Sequence, residues 1–88
     1  MEVMTIENTH IQYPPAKEII LMLLHSLTEG NADINIIETQ TLTIFEVRVP
    51  KEHVGKIIGK GGSIAFALRR VLASYSGRDN RCYRLEVV

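Results

Sequence analysis

Three glycines and a lysine, Gly59-Lys60-Gly61-Gly62, interrupt two segments that both carry helical periodicity. Before them, Val54, Ile57 and Ile58 fall at i, i+3 and i+4; after them, Ile64, Leu68, Val71, Leu72 and Tyr75 fall at i, i+4, i+7, i+8 and i+11. Neither helix can run through the glycines, which forfeit backbone entropy and stabilise no helical turn. The second half of the chain is therefore constrained to a short helix, a loop almost bare of side chains, and a second helix opening at Ser63.

The remainder is read around that pivot. "PPAKEIILMLLHSLTEGN" predicts a helix. Pro14 and Pro15 sit before or in its first turn, where a missing N–H costs little, Glu18 suits the positive end of the dipole, and Gly30-Asn31 is the stop. Ile19, Ile20, Leu23, Leu24 and Leu27 line one wide face toward a core, with Met22 and His25 at its margins. "ADINIIETQTLTIFEVRV" is rich in β-branched residues with period-two alternation. It predicts two strands, broken near Glu38–Thr41 in a turn without glycine and ended by Pro50. Gly77 is expected to end the last helix, and "CYRLEVV" closes the chain as a strand with Tyr83, Leu85 and Val87 on one face. The order is α-β-β-α-α-β, an α+β fold with a three-stranded sheet packed against helices. Residues 14–88 form the domain, and residues 1–13 are an extension of mixed polarity and no clear period.

Eighty-eight residues suit a single core. With 6% aromatics and no tryptophan, that core must be built from Ile, Leu and Val. One cysteine, Cys82, can form no internal disulfide, so packing carries the stability and a reducing compartment is expected. The longest apolar run, Ile19–Leu24, is far too short to span a membrane, and Glu2 stands where a signal peptide carries positive charge. A cytoplasmic protein without a membrane partner is the expectation. Formal net charge is zero, yet residues 1–47 carry −6 and residues 48–88 carry +6. Such asymmetry fits either a surface for an anion or a solvated pattern that folds back on itself.

Two glycine-rich phosphate motifs fail on spacing. A P-loop needs four residues between its glycines and Ser or Thr after its lysine; Gly55 and Gly59 enclose three, and Gly61 follows Lys60. A dinucleotide fingerprint needs a third glycine where Ile64 stands. Both also require a preceding strand. G-x-x-G between two helices remains. Its missing side chains would let a sugar-phosphate backbone approach the main chain, with N–H groups at the start of the Ser63 helix and the Lys60 ammonium facing the phosphates. A tight interhelical turn is the plain alternative.

The flanking residues discriminate. "VPKEHVGKIIGKGGSI", Val49 to Ile64, closely resembles the core signature of KH domains: Val or Ile, Pro, a short helix, IIGKGG and a second helix. One helix and two strands precede the motif and one strand follows, which resembles the type II arrangement; too little chain remains for type I. Ala65-Phe66-Ala67-Leu68-Arg69 is similar to the A-x-A-L-R stretch of the small bacterial single-KH family often called KhpA. That resemblance implies binding of single-stranded RNA as a chaperone or post-transcriptional regulator. It also implies self-association, as a homodimer, or pairing with a larger KH-containing protein, and no catalysis or cofactor. Residue by residue, Gly59, Lys60, Gly61 and Gly62 become the backbone clamp, Gly55 and Lys56 the groove wall and its cation, and Ile58 an apolar floor. Ser63 follows the clamp as the expected helix N-cap. Arg69 and Arg70 extend the phosphate path or form a solvated face, and Arg48 lines the groove edge. Phe66 lies off the core stripe near Ala73 and marks a partner face. The alternative class is a protein-interaction module that uses the fold for assembly.

Catalysis and metal binding have no residues arranged for them. His10, His25 and His53 lie on separate elements without a nearby Cys or carboxylate at ligand spacing, and no base is placed to activate Ser63. His25 is expected at a helix margin, His53 exposed in a first turn, and Cys82 partly buried in the core.

Overall fold

The computed structural model describes residues 13–88. The expectation for the extension therefore lies, except for Tyr13, outside the described residues. The elements are α1 (Ala16–Leu27), β1 (Asp33–Glu38), β2 (Leu42–Arg48), α2 (Val54–Ile58), α3 (Ser63–Asp79) and β3 (Cys82–Val87), with 3₁₀ turns at Lys51–His53 and Lys60–Gly62. The α-β-β-α-α-β order is the one expected.

Pro15, extended at φ −56° and ψ 154°, launches α1, and its carbonyl accepts from the Ile19 N–H at 3.1 Å. Ala16, Ile20 and Leu24, one turn apart, are its buried stripe. The helix stops where Glu29 and Gly30 both take positive φ, 54° and 82°, and the Gly30 N–H reaches back to the His25 carbonyl at 2.8 Å. Thr39 closes the glycine-free β-turn. Its N–H donates to the Leu42 carbonyl at 2.8 Å, and its hydroxyl accepts from the amides of Thr41 and Leu42 at 3.3 and 3.1 Å. This local hydroxyl turn does what Asn-Gly does in other hairpins.

The sheet order is β1-β2-β3, with β1 antiparallel and β3 parallel to β2. A parallel pair needs a long crossover, which α2 and α3 supply. Register sets Ile36 opposite Phe45 opposite Leu85, and Ile34 opposite Val47 opposite Val87. This face meets the helices: Ile20, Leu24, Phe45, Val47, Ile57, Leu68, Leu72 and Leu85 form the core. Aliphatic side chains and one fully buried phenylalanine build it, as the scarcity of aromatics requires.

Four local expectations are corrected. Helix α3 runs past Gly77 to Asp79, because Asn80, at φ 51° and ψ 50°, is the left-handed stop and its N–H bonds the Ser76 carbonyl. Cys82 is exposed: strand alternation places it with Arg84 and Glu86 on the sheet face away from the helices. Ser63 does not cap α3, since a 3₁₀ turn leads straight into it, Gly62 takes the N-cap position, and Ser63 is already helical at φ −63° and ψ −37°. His53 is half-buried, and its Nδ1 has no hydrogen-bond partner among the described residues.

Candidate nucleic-acid interface

The loop between α2 and α3 begins where Gly59 takes φ 74° and ψ 172°, a conformation essentially reserved for glycine. A Cβ there would stand 2.6 Å from Ile64 Cγ1 and 2.9 Å from the Ile64 N, so the position excludes side chains on two grounds. Gly61 (φ 63°) and Gly62 (φ 79°) are left-handed, with open space where a Cβ would project. The Gly59 N–H bonds the Gly55 carbonyl at 2.8 Å, and the Gly62 N–H bonds the Gly59 carbonyl at 3.1 Å. The Ser63 N–H bonds the Lys60 carbonyl, and among the described residues no side chain caps α3, so no side chain offsets the positive end of its dipole at this turn.

Around this turn Lys60 and Gly61 are exposed, Gly59 and Gly62 half-buried. On α2, Ile57 is fully buried, while its neighbour Ile58 is 37% exposed and offers an apolar surface beside the loop. Gly55 and Lys56 are exposed on the same short helix. The structure thus brings together Gly55, Lys56, Ile58, Gly59–Gly62 and Ser63. The arginines stand farther off. The Arg69 guanidinium donates to the Leu85 carbonyl of β3 at 3.1 Å, whereas Arg70 shares an exposed stripe with Phe66 and Ala73. Arg48 sits on the sheet face away from the helices, by alternation with buried Val47. Sequence reasoning missed Glu29, whose Oε1 lies 3.4 Å from Lys56 Nζ. The contact joins residues 27 apart, and no local pattern announces it.

The chain matches the family model described as the KH domain of KhpA/KhpB over residues 17–87. It belongs to that KH-domain family. It is 38% identical over 79 residues to the RNA-binding protein KhpA of Borreliella burgdorferi, covering 88% of this chain and 96% of that protein. It is 32% identical to KhpA of Listeria monocytogenes and 34% identical to KhpA of Chlamydia trachomatis, each over 74 residues and 82% of this chain, with 97% and 95% of those proteins covered. No solved structure matches the chain significantly. The KH motif and the type II order read from the sequence agree with this assignment. Among the described residues, no helix is long and apolar enough to cross a membrane.

A cavity of about 670 Å³ near the C-terminal end of α3 gathers all three tyrosines of the chain, Tyr13, Tyr75 and Tyr83, with Lys17, Arg78 and Asp79. Its polar groups are engaged with one another. Tyr75 donates to the Pro14 carbonyl at 2.6 Å, Tyr83 to Asp79 at 2.5 Å, and Arg78 lies over the Tyr13 ring at 4.3 Å. Lys17 pairs with Glu38, and its hydrogen bond holds that carboxyl below its ordinary range against an opposing contribution from burial. Burial, then the hydrogen bond to Asp79, pushes the Tyr83 phenol up to about 12. Two carboxylates offset the two cations, so this cavity lacks the unpaired positive charge of the Gly59–Gly62 loop.

Proposed function

We propose that this protein binds single-stranded RNA, without catalysing a reaction on it, by laying the sugar-phosphate backbone against Gly59-Lys60-Gly61-Gly62. The observation that carries the reading is the loop itself: three positive-φ glycines, an exposed lysine and an uncapped seventeen-residue helix meet at one exposed turn. The names of the relatives support it. In this reading Gly55 and Ile58 form wall and floor of a groove for about four nucleotides, and Lys56 and Lys60 neutralise phosphates. Ser63 borders the clamp, and Arg70 and the outer edge of Arg69 extend it along α3. With an aliphatic floor, bases are read by shape and edge hydrogen bonds more than by stacking. Two to four neutralised phosphates, about 0.7 of a logarithmic unit in salt dependence each, make for modest affinity.

The test is fluorescence anisotropy with a labelled, mixed-sequence single-stranded RNA at low and moderate salt, comparing wild type with Lys60→Asp/Gly61→Asp. Binding is expected to weaken by about tenfold or more, while circular dichroism stays unchanged, because two carboxylates then face the phosphates. Equal binding by both proteins, or by neither, refutes the clamp.

Phe66 favours a second component of the same reading, a face for another KH chain. It is 65% exposed on the stripe it shares with Arg70 and Ala73, the most exposed large apolar side chain among the described residues. A homodimer would present two clamps to one RNA and raise effective affinity without new base contacts. Sedimentation of wild type against Phe66→Asp decides it: a dimer reduced to monomer is expected, and a monomer in both samples removes self-association.

A further inference from the structure

We infer that Glu29 is an electrostatic competitor for RNA, holding Lys56 in the free protein and yielding it to a phosphate on binding. The inference rests on the RNA-binding reading above and deepens it. Lys56 lies four residues before Lys60, on the short helix that leads into the glycine loop, and is the nearest lysine upstream of that loop. Its ammonium is not free: Glu29 Oε1 is 3.4 Å away. The Glu29 side chain is 76% exposed, so only the ion pair holds it in place. A phosphate that reaches Lys56 competes with a carboxylate already there, and that carboxylate faces the incoming polyanion.

The backbone at Glu29 is a separate observation. It stands at φ 54°, the left-handed conformation that ends α1, which glycine and asparagine adopt more readily than glutamate. The next residue, Gly30, adopts φ 82°. A helix stop alone would be better served by Asn or Gly at 29, neither of which brings a carboxylate to Lys56. The unfavourable residue is the one that reaches the clamp.

Two consequences follow. Lys56 contributes to RNA affinity only in excess of what it loses with Glu29, so the loop binds polyanions more weakly than its cation count implies. Binding at Lys56 also releases little net counterion from the RNA, because the Glu29 carboxylate stays beside the phosphates and offsets the charge that Lys56 neutralises. Glu29 thus lowers both the affinity and its dependence on salt.

Anisotropy titrations of the full chain with labelled mixed-sequence single-stranded RNA, across a salt series, compare wild type, Glu29→Gln, Lys56→Gln and the double variant. Glu29→Gln is expected to tighten binding about three- to tenfold at low salt and to steepen the salt slope by about 0.7. In the Lys56→Gln background the gain is expected to fall below about twofold. Glu29→Asn, which suits the left-handed backbone, should reproduce the gain with a melting temperature at or above wild type, excluding a loosened α1 terminus as its source. No tightening, or equal tightening with and without Lys56, overturns the pairing. The Lys60→Asp/Gly61→Asp variant runs alongside. If it loses binding while Glu29→Gln matches wild type, only the competitor role fails; if it binds like wild type, the clamp itself fails and the competitor role falls with it.

Discussion

Helix α3 is entered and left by turns of opposite character. At its start, three glycines with positive φ lie in an exposed turn, and among the described residues no side chain caps the helix. At its end a side chain ties the turn to the sheet. Asn80 takes the left-handed position, and the amides of Asn80 and Arg81 both bond the Ser76 carbonyl. The Arg81 guanidinium then reaches across the sheet to the β1–β2 turn. It donates to Thr43 Oγ1 at 2.7 Å, to the Gln40 and Leu42 carbonyls at 3.0 Å, and to the Thr39 carbonyl. The closing turn ties the helix to β2 through an arginine; the opening turn is closed by backbone bonds of its own, from the Gly62 and Ser63 amides to the Gly59 and Lys60 carbonyls, and leaves Lys60 exposed.

Substitutions at both ends sharpen this contrast. The largest expected loss of stability is Gly59→Ala. A methyl group there meets Ile64 side chain and backbone in a conformation alanine avoids, and urea unfolding should show a loss of about 3 kcal/mol. A loss below about 1 kcal/mol would mean that the entrance to α3 relaxes freely and that Gly59 is not required sterically. Next comes Arg81→Ala, which removes the partner of the fully buried Thr43 and three carbonyl contacts. About 2 kcal/mol is expected from the same measurement, with RNA affinity within about twofold of wild type. If Arg81→Ala weakens RNA binding as much as the loop variant does, the division between a structural end and a binding end breaks down.

The tyrosine-lined cavity adds to the same lesson. At about 670 Å³, it is lined by aromatic rings and two cations. Yet Glu38 and Asp79 stand against Lys17 and Tyr83, while Arg78 is held over Tyr13. Enclosed volume and aromatic content alone do not mark a polyanion site. The RNA-binding proposal rests instead on an exposed Lys60 beside bare glycine backbone.

Much of this protein was legible in its residue order because the decisive signals are local. Helical spacing from Ile64 to Tyr75, period two through Phe45 and Val47, and Pro15 before α1 each act within a few residues, and backbone sterics enforce them without help from elsewhere. The KH signature from Val49 to Ile64 is likewise contiguous, so the glycine loop between α2 and α3 could be located before any packing was known. Tertiary structure decided what depends on residues distant in the chain. It drew Arg69 toward the Leu85 carbonyl, set Ile64 where only a glycine fits at 59, and brought Glu29 to Lys56. Short-range sterics and periodicity are written into neighbouring residues; the partner of a charged side chain is fixed only when helices and strands have taken their places around a common core.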